Sequence, residues 1–346
     1  MAYGTINADV IGTSVAGSNL GAGNASIMKN RIINGAMVID QRNAGASVTV
    51  GTDQYTLDRW YAQGSVASKY SVQQNAGSVT PPVGFSNYLG VTSLSSYSVG
   101  ASETFQIGQK IEGFNWADIG YGTASAKTTT LSFWVRSSLT GTFGGVFINS
   151  AGNRSYPFTY TISSANTWEQ KSITIAGDTT GTWVGSTNGS GLNVMFSLGA
   201  GSTYSGTAGS WAGTTYLSAT GATSVVGTSG ATFYITGVQL EVGSSATGFE
   251  YRQYQQELAL CQRYYETGSM WATGYGNGAN GVNFSYPMKV TKRATPTGTL
   301  TGGGYVNYPS PAFSSDDASM CYISQGAVSA AGFVRVNVTF NISSEL

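Results

Sequence analysis

The chain has 346 residues, enough for two domains with sizeable cores, and its 16 Lys and Arg balance its 16 Asp and Glu. Only 9% of residues are charged while 48 are Gly and 12% are aromatic, against about 25% charged in ordinary globular proteins, a profile of β-rich structure and not of disorder. Zero net charge excludes the basic field that recruits nucleic acid or an anionic membrane, and the absence of His removes the commonest general base, the commonest zinc ligand and every Ser-His-Asp or Cys-His site.

The opening MAYGTINADVIG has neither a basic n-region nor a continuous apolar stretch, and no later segment approaches the length that spans a bilayer. Folding in the cytosol where it is made is the expectation. Residues 1–30 carry isolated Ile6, Val10, Ile11, Val15 and Leu20 among Gly, Ala, Ser, Asn and Thr, too few for a core, which predicts an arm that orders against a partner, with a flexible tail as the alternative. Dense apolar sequence begins at Arg31, with NRIINGAMVIDQRN and then YTLDRWYA at Tyr55–Ala62.

Between residues 31 and 250, short β-like segments recur between Gly, Ser, Thr and Asn: Lys69–Val72, Tyr88–Val91, Ser102–Ile111, Thr128–Val135, Gly145–Ile148, Phe158–Ile162, Trp168–Ile175, Asn193–Leu198 and Ala231–Val242. Around nine strands with no helix between them predict an all-β antiparallel jelly-roll sandwich. Within the last segment, Phe233 and Ile235 alternate in one phase and Val238, Leu240 and Val242 in the other, so the period slips at Gly237, which predicts a β-bulge. The period then changes to steps of three and four at Tyr251, Tyr254, Leu258, Cys261 and Tyr265, predicting one connecting α-helix over residues 251–267, capped at its end by Gly268. That stripe either seals the helix onto a neighbouring sheet or forms an oligomer interface. Residues 268–346 read as a small C-terminal β-sandwich domain with strands at Asn283–Val290, Met320–Val328 and Phe333–Ile342; the last places Val334, Val336, Val338, Phe340 and Ile342 on one face and Arg335, Asn337, Thr339 and Asn341 on the other. Cys261 and Cys321, without CxxC spacing, are expected as buried free thiols.

Four stretches, NRIINGAMVIDQRNAG, YTLDRWYA, YITGVQLEVG and FEYRQYQQELALCQRYYE, together with KVTKRATPTGTL at Lys289–Leu300, resemble phage tail-fibre proteins. The resemblance implies a virion protein with a carbohydrate-binding-module-like jelly roll, usually a homotrimer.

The chemistry that the residues allow is sparse. Asp316–Asp317, with Glu103, Glu112 and Asp118, are the carboxylates to weigh as an acid/base pair for glycan cleavage, and surface loop charge is the plainer reading. Asp178 before TTGT is a poor calcium site with its single carboxylate, so no metal and no cofactor is expected. Aromatic rings in Gly-rich loops are the more useful signal, because a flat sugar face stacks on an exposed ring and Gly lets a ligand approach the backbone. Trp271, Tyr275, Tyr305 and Tyr308 in the C-terminal unit are the expected glycan-binding residues; Trp183, Tyr204, Trp211 and Tyr216 in the sandwich loops are the second group. The alternative is that these rings cap their own cores. The expectation is therefore a non-enzymatic tail-fibre subunit on a virion, bound to other virion proteins through its N-terminal arm and to a host-surface glycan, a neutral one by net charge. A capsid decoration or head-fibre protein, or a polysaccharide-degrading tailspike, are the alternatives.

Overall fold

The computed structural model describes residues 28–277, 282–308, 311–324 and 330–346. Residues 1–27 of the expected arm, and residues 325–328 of one expected strand, lie outside the described residues.

The strands run in order β1 (Val48–Thr49), β2 (Asp53–Leu57), β3 (Trp60–Gly64), β4 (Tyr70–Gln74), β5 (Leu89–Ser93), β6 (Thr104–Glu112), β7 (Thr129–Ser137), β8 (Gly141–Ile148), β9 (Ser155–Ile162), β10 (Glu169–Ile175), β11 (Ser190–Ala200), β12 (Ser205–Gly206), β13 (Ser218–Ala219) and β14 (Thr232–Val242). Twelve of them form two six-stranded antiparallel sheets, ordered β1-β4-β5-β14-β7-β10 and β2-β3-β6-β11-β8-β9. These are the two layers of a jelly-roll sandwich. Period-two alternation builds the core between them: Leu131, Phe133 and Val135 of β7 face Leu192, Val194, Phe196 and Leu198 of β11, all essentially without exposure. Phe133 stands edge-on to both Phe196 and Tyr160 with centroids 5.0 Å apart. The YTLDRWYA run, which reads as one segment, folds as the β2–β3 hairpin because Arg59 takes a left-handed φ of 69°.

The slip at Gly237 is a bulge inside one continuous strand. The β14–β7 register shifts between Thr236 and Gln239, Gly237 has φ 60°, and a Cβ there would stand 2.6 Å from the Phe85 ring and 3.1 Å from Trp134. Only glycine meets both demands.

After the sandwich come α1 (Tyr254–Gln262) and then β15 (Tyr265–Asn277), β16 (Phe284–Pro287), β17 (Thr297–Val306), β18 (Ala312–Ser315), β19 (Met320–Ser324) and β20 (Ala331–Ser343). The helix is shorter than the expected 251–267. Tyr251 precedes it, in a ring cluster with Phe85 and Phe249, and Tyr265 already belongs to β15. Gly268 is no helix cap: it lies in β15 opposite Phe340, where a Cβ would come within 2.4 Å of that ring. Sheets β15-β20-β17 and β16-β19-β18 enclose a core of Val334, Val336, Val338, Phe340, Ile342, Cys321, Ile323 and Tyr308. Cys261 and Cys321 are both free and buried.

Charged and amide side chains tie the sandwich, the helix and the second unit together. Asn34, at φ 57°, donates to the carbonyls of Ile39 (2.8 Å) and Asp58 (3.0 Å), while its own backbone N–H donates to Glu257 of α1. Gln109 of β6 brackets Ile33, accepting from its N–H at 2.8 Å and donating to its carbonyl at 2.7 Å. Glu112 accepts from Arg263 (2.6 and 2.9 Å) and from the Tyr264 hydroxyl (2.5 Å). Burial pushes the Glu112 carboxyl up, but these donors outweigh it and hold it below its ordinary range. Arg59, stacked 3.6 Å over the Tyr264 ring, and Arg42 both pair with Glu345. Lys292 donates to Glu266 at 2.6 Å with neither side chain exposed. Such desolvated pairs hold only when every partner is present.

Candidate functional site

The expected glycan-binding quartet divides three ways. Because Val334, Val336 and Val338 of β20 point into the core, the alternate residues Phe333, Arg335, Asn337 and Thr339 point outward. Strand register then decides the neighbours. Trp271 pairs with Asn337, Thr273 with Arg335 and Tyr275 with Phe333, so Trp271 and Tyr275 stand on the outer face of β15, four residues and about 13 Å apart. They are 67% and 75% exposed, and Phe333 is 57% exposed beside them. Both lie on a strand and not in the expected loop. Tyr305 pairs with Val336, which puts it on the opposite face of the sheet, half exposed at the β17 edge. Tyr308 is buried: its hydroxyl donates to the carbonyls of Val282 (2.6 Å) and Ile323 (2.9 Å), and burial pushes its pKa up to about 12. It is a core residue, so no sugar can stack on it.

On the far side of β20, β17 contributes Gly302 opposite Thr339, Gly304 opposite Asn337 and Val306 opposite Arg335. Gly303, at φ 124° with a Cβ position only 2.0 Å from the Asn337 carbonyl, must be glycine, whereas at Gly304 an added Cβ would meet nothing within 4 Å. Packing does not require Gly304 to be bare. Its bareness leaves an open track beside the Trp271 row. Ser269, Thr301 and Thr339 supply hydroxyls towards the end nearer the sandwich, the last two bonded at 2.9 Å, and there a hollow of about 600 Å³ is lined by Thr267, Ser269, Thr301, Thr339, Asn341 and Lys289. Large rings set among short hydroxyl and amide groups suit a sugar, which offers an apolar face and a hydroxyl rim. Phe333 and Arg335 were absent from the expected site, yet the alternation of β20 carried the signal: an aromatic in the wet phase of a strand.

The sandwich rings serve their own core. Trp183 and Trp211 stand edge-on to Tyr121 at 5.0 and 5.5 Å, and the Trp211 indole N–H donates to the Ala176 carbonyl at 2.8 Å. The Tyr216 ring covers Gly206, and Tyr204 is half-buried. Asp178 is saturated by donors, accepting from Arg154 (2.6 and 2.7 Å), Thr180 and Trp183; burial raises its pKa, and the Arg154 bonds more than reverse that. The guanidinium already supplies the positive charge a cation would bring. The other candidate carboxylates are engaged as well. Glu103 accepts from the Tyr97 hydroxyl, Asp118 pairs with Arg31, Asp317 accepts from the N–H groups of Ser319 and Met320, and Asp316 takes the Tyr322 hydroxyl.

In the helix stripe, Cys261 and Tyr265 are buried in this same chain, the latter beneath Arg42 at 3.7 Å, and Leu258 packs beside Cys261, Ile33 and Ile39. These residues are occupied by their own fold. Tyr251 and Tyr254 remain exposed, at 61% and 58%.

No family model and no curated protein sequence matches the chain. Among solved structures, the enzymatically active domain of tailspike protein 4 of bacteriophage CBA120 is similar at 13% identity and TM-score 0.32, over 62% of this chain and 22% of that one. The carbohydrate-binding module TmCBM61, solved with β-1,4-galactotriose, is similar at 11% identity and TM-score 0.28, over 53% of this chain and 88% of that one. The family 11 carbohydrate-binding module of a cellulosomal cellulase of Clostridium thermocellum follows at 12% and 0.28, over 60% and 100%. The chain thus spans about a fifth of the tailspike it resembles. At such scores the likeness says nothing of ligand, activity or assembly.

Proposed function

We propose that the chain is a structural protein of a phage virion, a tail-fibre subunit that holds a host-surface glycan and does not cleave it. One observation supports this above the others: Trp271, Tyr275 and Phe333 stand exposed on one sheet face among hydroxyls and amides. Burying a ring of that size is ordinarily worth ~1.5–3 kcal/mol, and this chain buries Trp60, Trp116, Phe105, Phe133 and Phe143 completely. Three rings kept in water on one face are a contact surface. The sequence likeness of the stretches around Asn34, Gln239 and Glu257 to tail fibres supports the virion assignment, and the homotrimer and the arm at residues 1–30 belong to the same proposal. Tyr254 of α1 and Tyr251 just before it are the stripe residues left exposed for contact between copies. The non-cleaving part rests on the candidate carboxylates Glu103, Glu112, Asp118, Asp316 and Asp317, each engaged with its own neighbours.

Trp271→Ala with Tyr275→Ala is expected to lower adsorption of the purified protein to host cells at least about tenfold with the melting temperature unchanged. Full adsorption by that variant would remove the site. Gold-labelled antibody on intact particles should mark the tail; label confined to the capsid would favour the decoration reading. New reducing ends on host lipopolysaccharide would make the protein a hydrolase.

A further inference from the structure

Charge divides unevenly over the second unit. β15, β17 and β20 together carry two charged side chains: Glu266, buried and turned inward opposite Ile342, is the single carboxylate, and Arg335 is the one charge among the residues these strands turn outward.

 At the end nearer the sandwich, Lys289 and Lys292 share that one carboxylate, at 4.0 and 2.6 Å, so one positive charge is left over where Lys289 borders the hollow. At the other end, Arg335 stands between the Trp271 and Tyr275 rows, opposite Thr273 on one side and Val306 on the other, with no acidic residue across from it. From Thr267, whose carbonyl holds Lys289 at 2.8 Å, to Thr273 is six residues, or about 20 Å along the strand.

We infer that the ligand of this face is an extended anionic glycan, stacked on Trp271 and Tyr275, whose carboxylate or phosphate groups meet Arg335 and Lys289. The inference rests on the glycan-binding reading above and names its class of sugar. It also departs from the neutral glycan that net charge suggested, because zero charge over the whole chain does not describe this face. A guanidinium takes a carboxylate or phosphate through two parallel hydrogen bonds, and an exposed ring beside it holds the sugar's apolar face. Gly304 keeps the track between them clear.

The test is binding of the full chain and its variants to an array of immobilised oligosaccharides bearing uronates, sialates or sugar phosphates, with carboxyl-reduced and dephosphorylated counterparts as neutral partners. Wild-type protein is expected to hold an anionic member and to lose about tenfold on its neutral counterpart, with binding falling as salt rises. Arg335→Gln should remove that preference while leaving the melting temperature unchanged. Gly304→Leu should fold and fail to bind. The uronate and phosphate arms show which anion the face takes. Equal binding to charged and neutral partners, lost in Trp271→Ala but kept in Arg335→Gln, overturns the anionic inference and leaves the glycan reading standing. Binding to no member of the array, or binding indifferent to Trp271→Ala, overturns both.

Discussion

The junction between the sandwich and the second unit and the outer face of β15-β20-β17 use similar residues to opposite ends. At the junction, Arg59, Glu112, Arg263, Glu266, Lys292 and Glu345 are all paired, and the Tyr264 ring lies flat beneath a guanidinium. On the outer face, Arg335 has no acid opposite it and Trp271 and Tyr275 meet water. A buried charge network tolerates no loss, because each member is desolvated for the sake of the others. An exposed ring or guanidinium contributes little to the fold and is free to serve a ligand.

Breaking one junction partner should have the largest effect. Lys292→Met leaves Glu266 buried without its 2.6 Å partner and is expected to cost about 3–5 kcal/mol in denaturant unfolding; a loss below about 1 kcal/mol would show that water reaches the pair.

Asp58 sharpens the comparison through pH. Burial raises its carboxyl from 3.8 to about 6 despite the nearby Arg42 and two 2.7 Å hydrogen bonds from Gln41. A carboxyl that binds its proton more tightly when folded stabilises most below the unfolded pKa, and that contribution is lost as pH rises through the folded value. Wild-type stability relative to Asp58→Asn should therefore fall by about 2 kcal/mol between pH 4 and pH 7. Denaturant midpoints measured at each pH check it, and a difference that stays flat would mean that Asp58 is ionised throughout.

Gly268→Ala tests the C-terminal core, since the new Cβ would meet the Phe340 ring at 2.4 Å; a cost of about 1–3 kcal/mol is expected. The outer face should be the least sensitive of all. Trp271→Ala and Arg335→Gln are expected to stay within about 0.5 kcal/mol of wild type, and a larger loss would place that face inside a packed interface.

The sequence by itself determined whatever depends on local periodicity. Alternation at Leu131–Val135 and Val334–Ile342 identified sheet-forming strands with one buried face, and the phase change at Gly237 located the bulge, because a strand's side-chain period is set by its own backbone. The helix was legible in kind but not in extent: the three-and-four spacing runs on through Tyr251 and Tyr265, while the ring cluster with Phe85 claims the first and pairing with Ser343 claims the second. The tertiary structure alone decided the site. β15 reads as a loop because Gly268, Gly274 and Gly276 interrupt it, and its larger rings face out while Met270 and Ala272 face in, so size and hydrophobicity point the wrong way. Register with β20 overrides them: pairing with a long, strongly alternating central strand fixes which side of each neighbour is buried, and it puts Trp271 and Tyr275 in water and Tyr305 on the opposite face, while Tyr308, just past β17, is buried in the core.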